Sequence, residues 1–155
     1  MDKLIIRKAE RTDMPAVLRL IKELAHYEKC EDQVRMTEDR LVSDGFGNSP
    51  AFHCLLACSE GEVLGFCLSW YRYSTWRGRL LYVEDLYIRE AFRRQGIGRK
   101  LLEAVMEQAR EEGISHVHLQ VLDWNEPAIR FYRKYNPEFD QGWINVLIPL
   151  EKAVS

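Results

Sequence analysis

The sequence lacks the features that mark several other classes of protein. No apolar run approaches the length of a membrane span, and residues 1–4 lead into a predicted strand without a signal-peptide layout. The net charge of −2 gives no bulk attraction for nucleic acid. These absences predict a cytoplasmic protein with no nucleic-acid partner and no membrane partner.

Metal-binding patterns are also missing. The four histidines show no ligand spacing, and the four cysteines lack metal-type pairing. Cysteines in a chain without a secretion signal are expected to stay reduced. We therefore predict no metal site. With 155 residues, 46% hydrophobic and 30% charged, the composition is that of a globular protein with one core, without repeats, low-complexity tracts or linkers. This predicts one domain over residues 1–155.

The most informative stretch is the basic segment 93–100, with the sequence RRQGIGRK. It follows a strand-like run from Leu80 to Ile88 and opens a helical pattern with an apolar face. The first N–H groups of a helix have no internal partner, and the helix dipole is positive at that end. Gly96 and Gly98 allow backbone to come close to a ligand. This arrangement favours binding of a pyrophosphate.

Two well-known phosphate-binding motifs fit this segment poorly. A P-loop needs Ser or Thr after its lysine, and a dinucleotide fingerprint needs a third glycine; both positions are Leu101 here. The pattern [RQ]-x-x-G-x-[GA] does fit, and it resembles the coenzyme A loop of the GCN5-related N-acetyltransferases. A basic surface turn before an ordinary helix remains the alternative on this stretch alone.

Hydrophobic periodicity predicts the order strand, helix, helix, three strands, helix, strand, helix, strand. Thr12 or Asp13 is expected to cap the first helix, and Asn125 the last. The fifth strand is predicted over residues 116–122 and a final strand over residues 141–150. The fold class is therefore α/β (α+β), with a mixed central sheet flanked by helices on both faces, compatible with one acetyltransferase-type (GNAT) domain.

Four further stretches sharpen the resemblance. They are residues 20–28, 44–47, 81–86 and 124–132, and they are similar to the diamine acetyltransferases of the spermidine/spermine and thialysine type. Three features depart from that pattern: a short turn at residues 59–62, Ser74 where the polyamine enzyme carries aspartate, and residues 134–137 in place of a glycine-containing turn. The first two concern the acceptor side, so the acceptor amine stays open.

The resemblance implies transfer of an acetyl group from acetyl-CoA to a primary amine by direct attack in a ternary complex. It implies a small-molecule amine partner and a homodimer. The residues it places against the coenzyme are Leu86, Tyr87, Ile88, Arg93, Arg94, Gln95, Gly96, Ile97, Gly98, Arg99, Asn125, Glu126, Pro127 and Ala128. Those it places on the acceptor side are Tyr27, Glu28, Trp76, Glu84, Asp85 and His118.

Glu84 and Asp85 are adjacent acids in an otherwise apolar strand. In a regular strand their side chains point to opposite faces, so one of them is costly unless it is paired or functional. Glu84 is the candidate general base, acting directly or through a water, because an alkylammonium has no lone pair with which to attack. Pairing of either acid with Arg7 or Arg79 is the structural alternative.

Tyr132 matches the general acid of the resembling family, which protonates the departing thiolate. By its spacing alone, beside Phe131 and Tyr135, it is a core residue of an amphipathic helix, and the context of residues 125–127 favours the role of acid instead. Two other functions stay open: acetylation of a protein or peptide amine, and a CoA-binding regulatory protein without turnover. The presence of both Glu84 and Tyr132 disfavours the second.

Overall fold

The computed structural model describes residues 3–151. These residues fall into two compact units that meet in sequence between Gln120 and Val121. The first unit contains β1 (Ile5–Lys8), α1 (Met14–Tyr27), α2 (Glu38–Phe46), β2 (His53–Ser59), β3 (Glu62–Ser74), β4 (Gly78–Ile88), α3 (Ile97–Glu111) and β5 (Val117–Leu119). The second contains α4 (Glu126–Arg133).

The five strands form one mixed sheet in the order β1-β2-β3-β4-β5. All neighbours are antiparallel except β4 and β5, which run parallel. The β4–β5 ladder ends at Val83 and Leu119, while β4 itself continues to Ile88. The predicted mixed sheet is confirmed, and the second half of β4 extends past its parallel neighbour.

Helices pack on both faces of the sheet, as the sequence predicts. One face carries Phe66 and Leu68 of β3, which join Met14 and Val17 of α1 in the main apolar core. The other face carries Tyr71, whose hydroxyl donates to Glu112 at the end of α3 at 2.6 Å. Even-numbered and odd-numbered residues of β3 therefore face different helices, as expected from the alternation of a strand.

A β-bulge interrupts β4 at its two acids. Ser69 of β3 pairs with Val83, but the preceding residue, Leu68, pairs with Asp85, so two residues of β4 oppose one of β3. Glu84 is the extra residue. Alternation from Tyr82 puts Glu84 on the face of β3 that carries Leu68 and Trp70, and the extra residue turns Asp85, the partner of Leu68, to that same face, which α1 covers. The prediction that Glu84 and Asp85 point to opposite faces is wrong, because it assumed an unbroken ladder.

Three other predictions about elements need correction. Asp13 does not cap α1 with its side chain; its carboxylate instead accepts from Arg7 at 2.8 and 2.9 Å. Strand β5 is shorter than predicted, since only residues 117–119 pair with β4. Residues 141–150 form no strand in the described chain, because a strand needs a hydrogen-bonded neighbour and this segment has no ladder partner within residues 3–151.

Candidate active site

The predicted coenzyme loop forms an uncapped helix N-terminus. Gly96 precedes α3 with a φ of 78°, a left-handed conformation that glycine adopts without strain, and no side chain caps the helix there. Ile97 is buried and fixes the first turn, whereas Arg94, Gln95 and Arg99 are exposed. The backbone N–H groups of this first turn are thus presented with cationic side chains beside them, which is the chemistry a pyrophosphate requires.

Arg93 points elsewhere. Its Nε donates to the carbonyl oxygen of Ile88 at 2.9 Å, and its guanidinium lies 5.0 Å from the ring centre of Tyr27 and 5.4 Å from that of Tyr87. Such cation–π contacts link the loop to the end of α1. The structure therefore brings Arg93 to the predicted acceptor residue Tyr27, and the direct coenzyme role expected for Arg93 stays a prediction.

Three carboxylates interact at the bulge. Burial, together with the negative charges of Glu84 and Glu28, raises the pKa of Asp85 from 3.8 to about 7. Burial also raises the pKa of Glu28, which lies just past the end of α1. The expected alternative partners are occupied, since Arg7 binds Asp13 and the Arg79 guanidinium lies 3.9 Å from the ring centre of Tyr71. The acids thus form an acidic group on one face.

An aromatic row borders these acids. Trp70, Tyr82 and His118 are cross-strand neighbours on β3, β4 and β5; the Tyr82 ring centre lies 5.0 Å from that of Trp70 and 5.2 Å from that of His118. The indole Nε1–H of Trp70 donates to Glu84 Oε1 at 2.9 Å. Arg72 approaches His118 Nδ1 at 3.3 Å. The row joins His118 to Tyr82 and adds Trp70, which the sequence did not single out; the acceptor role of His118 stays a prediction.

Trp76 is not brought to this group within one chain. It lies in the turn between β3 and β4, where its backbone N–H donates to Ser74 Oγ at 3.1 Å. Trp76 is 83% exposed. From Gly78, the first residue of β4, to Glu84 is roughly 20 Å at the rise of a strand. The acceptor role expected for Trp76 remains a prediction that this chain's geometry does not support.

The second unit presents the remaining predicted residues on α4. Asn125 Oδ1 accepts from the backbone N–H of Ala128 at 3.3 Å, so it caps the helix as predicted. Glu126 and Pro127 occupy the first turn. The ring of Tyr132 lies edge-on to Phe131 with centres 5.1 Å apart. This packing orders the tyrosine on its own helix; its role as an acid stays a prediction.

Comparison with known proteins decides the family. The sequence model of the Acetyltransferase (GNAT) family matches residues 15–136, which span most of the chain and both units. This chain belongs to that family. The predicted family and fold class are therefore confirmed, and the chain is an acetyl-CoA-dependent N-acetyltransferase.

Relatives of this acetyltransferase support the branch predicted from its motifs. It is 45% identical over 137 residues to the thialysine N-epsilon-acetyltransferase of Bos taurus, covering 83% of this chain and 81% of that one. It is 35% identical over 153 residues to the spermidine/spermine N(1)-acetyltransferase-like protein 1 of Homo sapiens, covering 92% of this chain and 22% of that one. An aminoglycoside acetyltransferase from an uncultured soil metagenomic sample shares the fold, with a TM-score of 0.77 at 23% identity over 96% of this chain and 97% of that one.

GNAT acetyltransferases use acetyl-CoA as cosubstrate, and the residues of this acetyltransferase fit that molecule. The uncapped start of α3 suits its pyrophosphate. The β4 segment beyond Val83 no longer pairs with β5. Among residues 3–151, no group of three or more His, Cys, Asp or Glu side chains is placed to hold a metal ion, and no helix is long and apolar enough to cross a membrane.

The raised pKa of Asp85 makes a prediction about stability. A carboxyl whose pKa rises from 3.8 to about 7 on folding binds more protons in the folded state between those values, so stability falls as pH rises through that window. The full difference corresponds to about 4 kcal/mol, and solvent access to the half-buried group reduces it to about 2 kcal/mol. Asp85→Asn should therefore be about 2 kcal/mol more stable than the parent at pH 8.

Urea denaturation at pH 4 and pH 8 measures this difference. The advantage of Asp85→Asn should shrink toward zero at pH 4, where the aspartate is protonated in the folded state. Asp32→Asn, at an exposed aspartate, is the matched control and should leave stability nearly unchanged at both pH values. A variant no more stable than the parent at pH 8 would show that Asp85 is not held in a desolvated site.

Proposed function

We propose that this acetyltransferase acetylates a primary amine of a small polyamine, diamine or thialysine-like amino acid, by direct attack in a ternary complex. The observation that carries the proposal is the acidic group of Glu28, Glu84 and Asp85 on one face of β4. Carboxylates beside an aromatic row attract alkylammonium groups through charge and ring faces. The names of the relatives support the same class of acceptor.

The same acids can also take part in removing a proton from the acceptor amine. A free alkylamine has a pKa of about 10.4 and is almost entirely ammonium at neutral pH, so a proton must leave before attack. Glu84 is exposed and can reach an incoming ammonium as the general base. Asp85, with its pKa raised to about 7, can exchange a proton with the ammonium at neutral pH. The pair therefore supports binding of the ammonium and removal of its proton.

The donor side of the reaction uses the loop and α4. The exposed Arg94 and Arg99 and the first turn of α3 would bind the pyrophosphate, and a backbone N–H near Leu86 would stabilise the oxygen of the thioester as charge develops there. Asn125 and Ala128, at the start of α4, would also contact the coenzyme. Once the amine has formed the new C–N bond, the bond between the carbonyl carbon and sulfur would break. Tyr132 would give its phenolic proton to the departing thiolate.

Two other functions were open from the sequence. Acetylation of a protein or peptide amine needs a groove that admits a polypeptide. A CoA-binding regulatory protein would bind acetyl-CoA without amine-dependent release of thiol. The partly buried acids at the bulge favour a small ammonium over either alternative, since a desolvated carboxylate group is costly without a cationic ligand.

The test is a panel of acceptors at fixed acetyl-CoA, with free CoA thiol as the readout. Thialysine, lysine, a short diamine, spermidine and spermine represent the proposed class, and a lysine-containing peptide represents the alternative. We expect at least one small amine to accelerate thiol release well above the amine-free rate. Acceleration by the peptide alone would favour protein acetylation, and none by any amine would leave only coenzyme binding.

Assembly and compartment complete the proposal. We infer a homodimer in the cytoplasm, formed from single-domain subunits. Support for the dimer comes from a run of apolar side chains in residues 144–150, of which Leu147 is 87% and Leu150 92% exposed in one chain. A second copy could cover such a stretch. Light scattering at working concentration tests the dimer; a monomer would remove this inference and leave the chemistry intact.

A further inference from the structure

A hydrogen bond that the sequence pattern did not indicate joins Trp70 of β3 to Glu84 of β4. The indole Nε1–H donates to Glu84 Oε1 at 2.9 Å. An indole N–H can only donate, and an ionised carboxylate can only accept, so Trp70 is the donor in this hydrogen bond. Glu84 lies two residues after Tyr82 on β4 and so shares the face of the sheet that carries Trp70, the cross-strand partner of Tyr82.

Trp70 is itself held in place. Its ring packs on Tyr82, its direct partner across the β3–β4 ladder, with centres 5.0 Å apart and planes at 40°. Tyr82 is in turn in edge contact with His118 of β5. Because Tyr82 contacts a ring on each side, the Trp70 indole that packs on it has a well-defined position. An exposed glutamate side chain without such contacts would be less well fixed.

We propose that Trp70 is a positioning residue of the acetyl-transfer reaction, which holds one oxygen of the Glu84 carboxylate and aims the other at the acceptor amine. The inference rests on the role of Glu84 in the proposed function. Glu84 lies on an exposed bulge, where a glutamate side chain otherwise samples several rotamers. A donor to one oxygen restricts those rotamers and leaves the other oxygen for the ammonium.

The charges around Glu84 explain why a donor is useful there. Asp85 on β4 and Glu28 at the end of α1 are acids of the same group, so their negative charges repel the Glu84 carboxylate. On the other side, Arg72 of β3 faces His118 of β5 and the Tyr82 ring rather than Glu84. A hydrogen bond to the charged carboxylate opposes the repulsion from the neighbouring acids.

Trp70→Phe tests the proposal, since it removes the N–H and keeps a ring against Tyr82. Loss of a hydrogen bond to a charged group is expected to lower kcat about tenfold at pH 7. The KM for acetyl-CoA should stay within about twofold, because the coenzyme loop is untouched. An unchanged kcat would overturn the proposal.

Trp143→Phe is the matched control. The Trp143 indole also donates to a carboxylate, Asp140 Oδ2 at 2.6 Å, in the second unit. Its removal should leave kcat unchanged. Trp70→Leu provides a second variant without the N–H if Trp70→Phe fails to give a normal thermal transition.

A double-mutant cycle separates action through Glu84 from a general structural effect. If Trp70 acts through Glu84, Trp70→Phe should cost little further activity in a Glu84→Gln background. An equal loss in both backgrounds would contradict the inference. Failure of the proposed function is distinguishable, because it would appear in the parent protein as absence of amine-dependent thiol release, whereas failure of this inference would leave the parent active and Trp70→Phe equally so.

Discussion

Replacing Glu84 with glutamine is expected to slow turnover of the preferred amine by about 100-fold at pH 7, which is the lower end of the contribution of a general base. Glutamine keeps the size of the side chain and can still accept from Trp70, but it cannot remove a proton. The variant must then depend on the small fraction of acceptor that is already neutral.

The dependence on pH makes this prediction specific. The neutral fraction of an alkylamine grows about tenfold per pH unit below its pKa of about 10.4. The ratio of parent to variant kcat, measured at saturating amine, should therefore shrink between pH 7 and pH 9.5. A constant ratio would assign Glu84 a purely electrostatic or structural role. Glu107→Gln, at an exposed glutamate of α3 that pairs with Arg110, is the control and should leave the kinetics unchanged.

Tyr132→Phe carries the second large expected effect, because turnover should fall by about 100-fold or more with little change in acetyl-CoA affinity. The substitution keeps the ring that contacts Phe131 and removes only the hydroxyl. A thiolate that departs without a proton is a poorer leaving group, so the loss should appear in turnover. Calorimetry with acetyl-CoA measures affinity, and thiol release under saturating substrates measures turnover.

Tyr135→Phe supplies a control from the same aromatic group. The Tyr135 ring lies 5.9 Å from that of Phe131, so this variant removes a hydroxyl beside the same phenylalanine. We expect its turnover to stay close to that of the parent. Equal activity of parent and Tyr132→Phe would remove Tyr132 from the mechanism, while a joint loss of affinity and turnover would point to damage to α4.

The coenzyme loop and the framework of helices were predictable because their signals are local. Glycines and arginines at residues 93–99, followed by an apolar stripe of helical period, specify a strand–turn–helix unit, and the structure gives Gly96 the positive φ that this turn requires. Thr37 and Asn125 cap their helices through side chains only three residues from their donors.

Long-range pairing accounts for the failures. Asp13 has the residue type and position of a helix cap, but the order of residues does not show that Arg7, on the neighbouring strand, binds its carboxylate. Apolar alternation predicted a strand at residues 141–150, yet a strand also requires a partner for its backbone groups, and residues 3–151 of a single chain supply none. Local periodicity carries no information about partners.

The sequence by itself determined the family, the mixed sheet with helices on both faces, and the residue types that the chemistry needs. Only the tertiary structure decided how the acids are arranged. A single extra residue at the β4 bulge places Glu84 and Asp85 on one face, near Glu28 and within reach of the indole of Trp70. Register between strands depends on pairings remote in sequence, so neither the shared face, nor the raised pKa of Asp85, nor the bond from Trp70 could be derived from the order of residues.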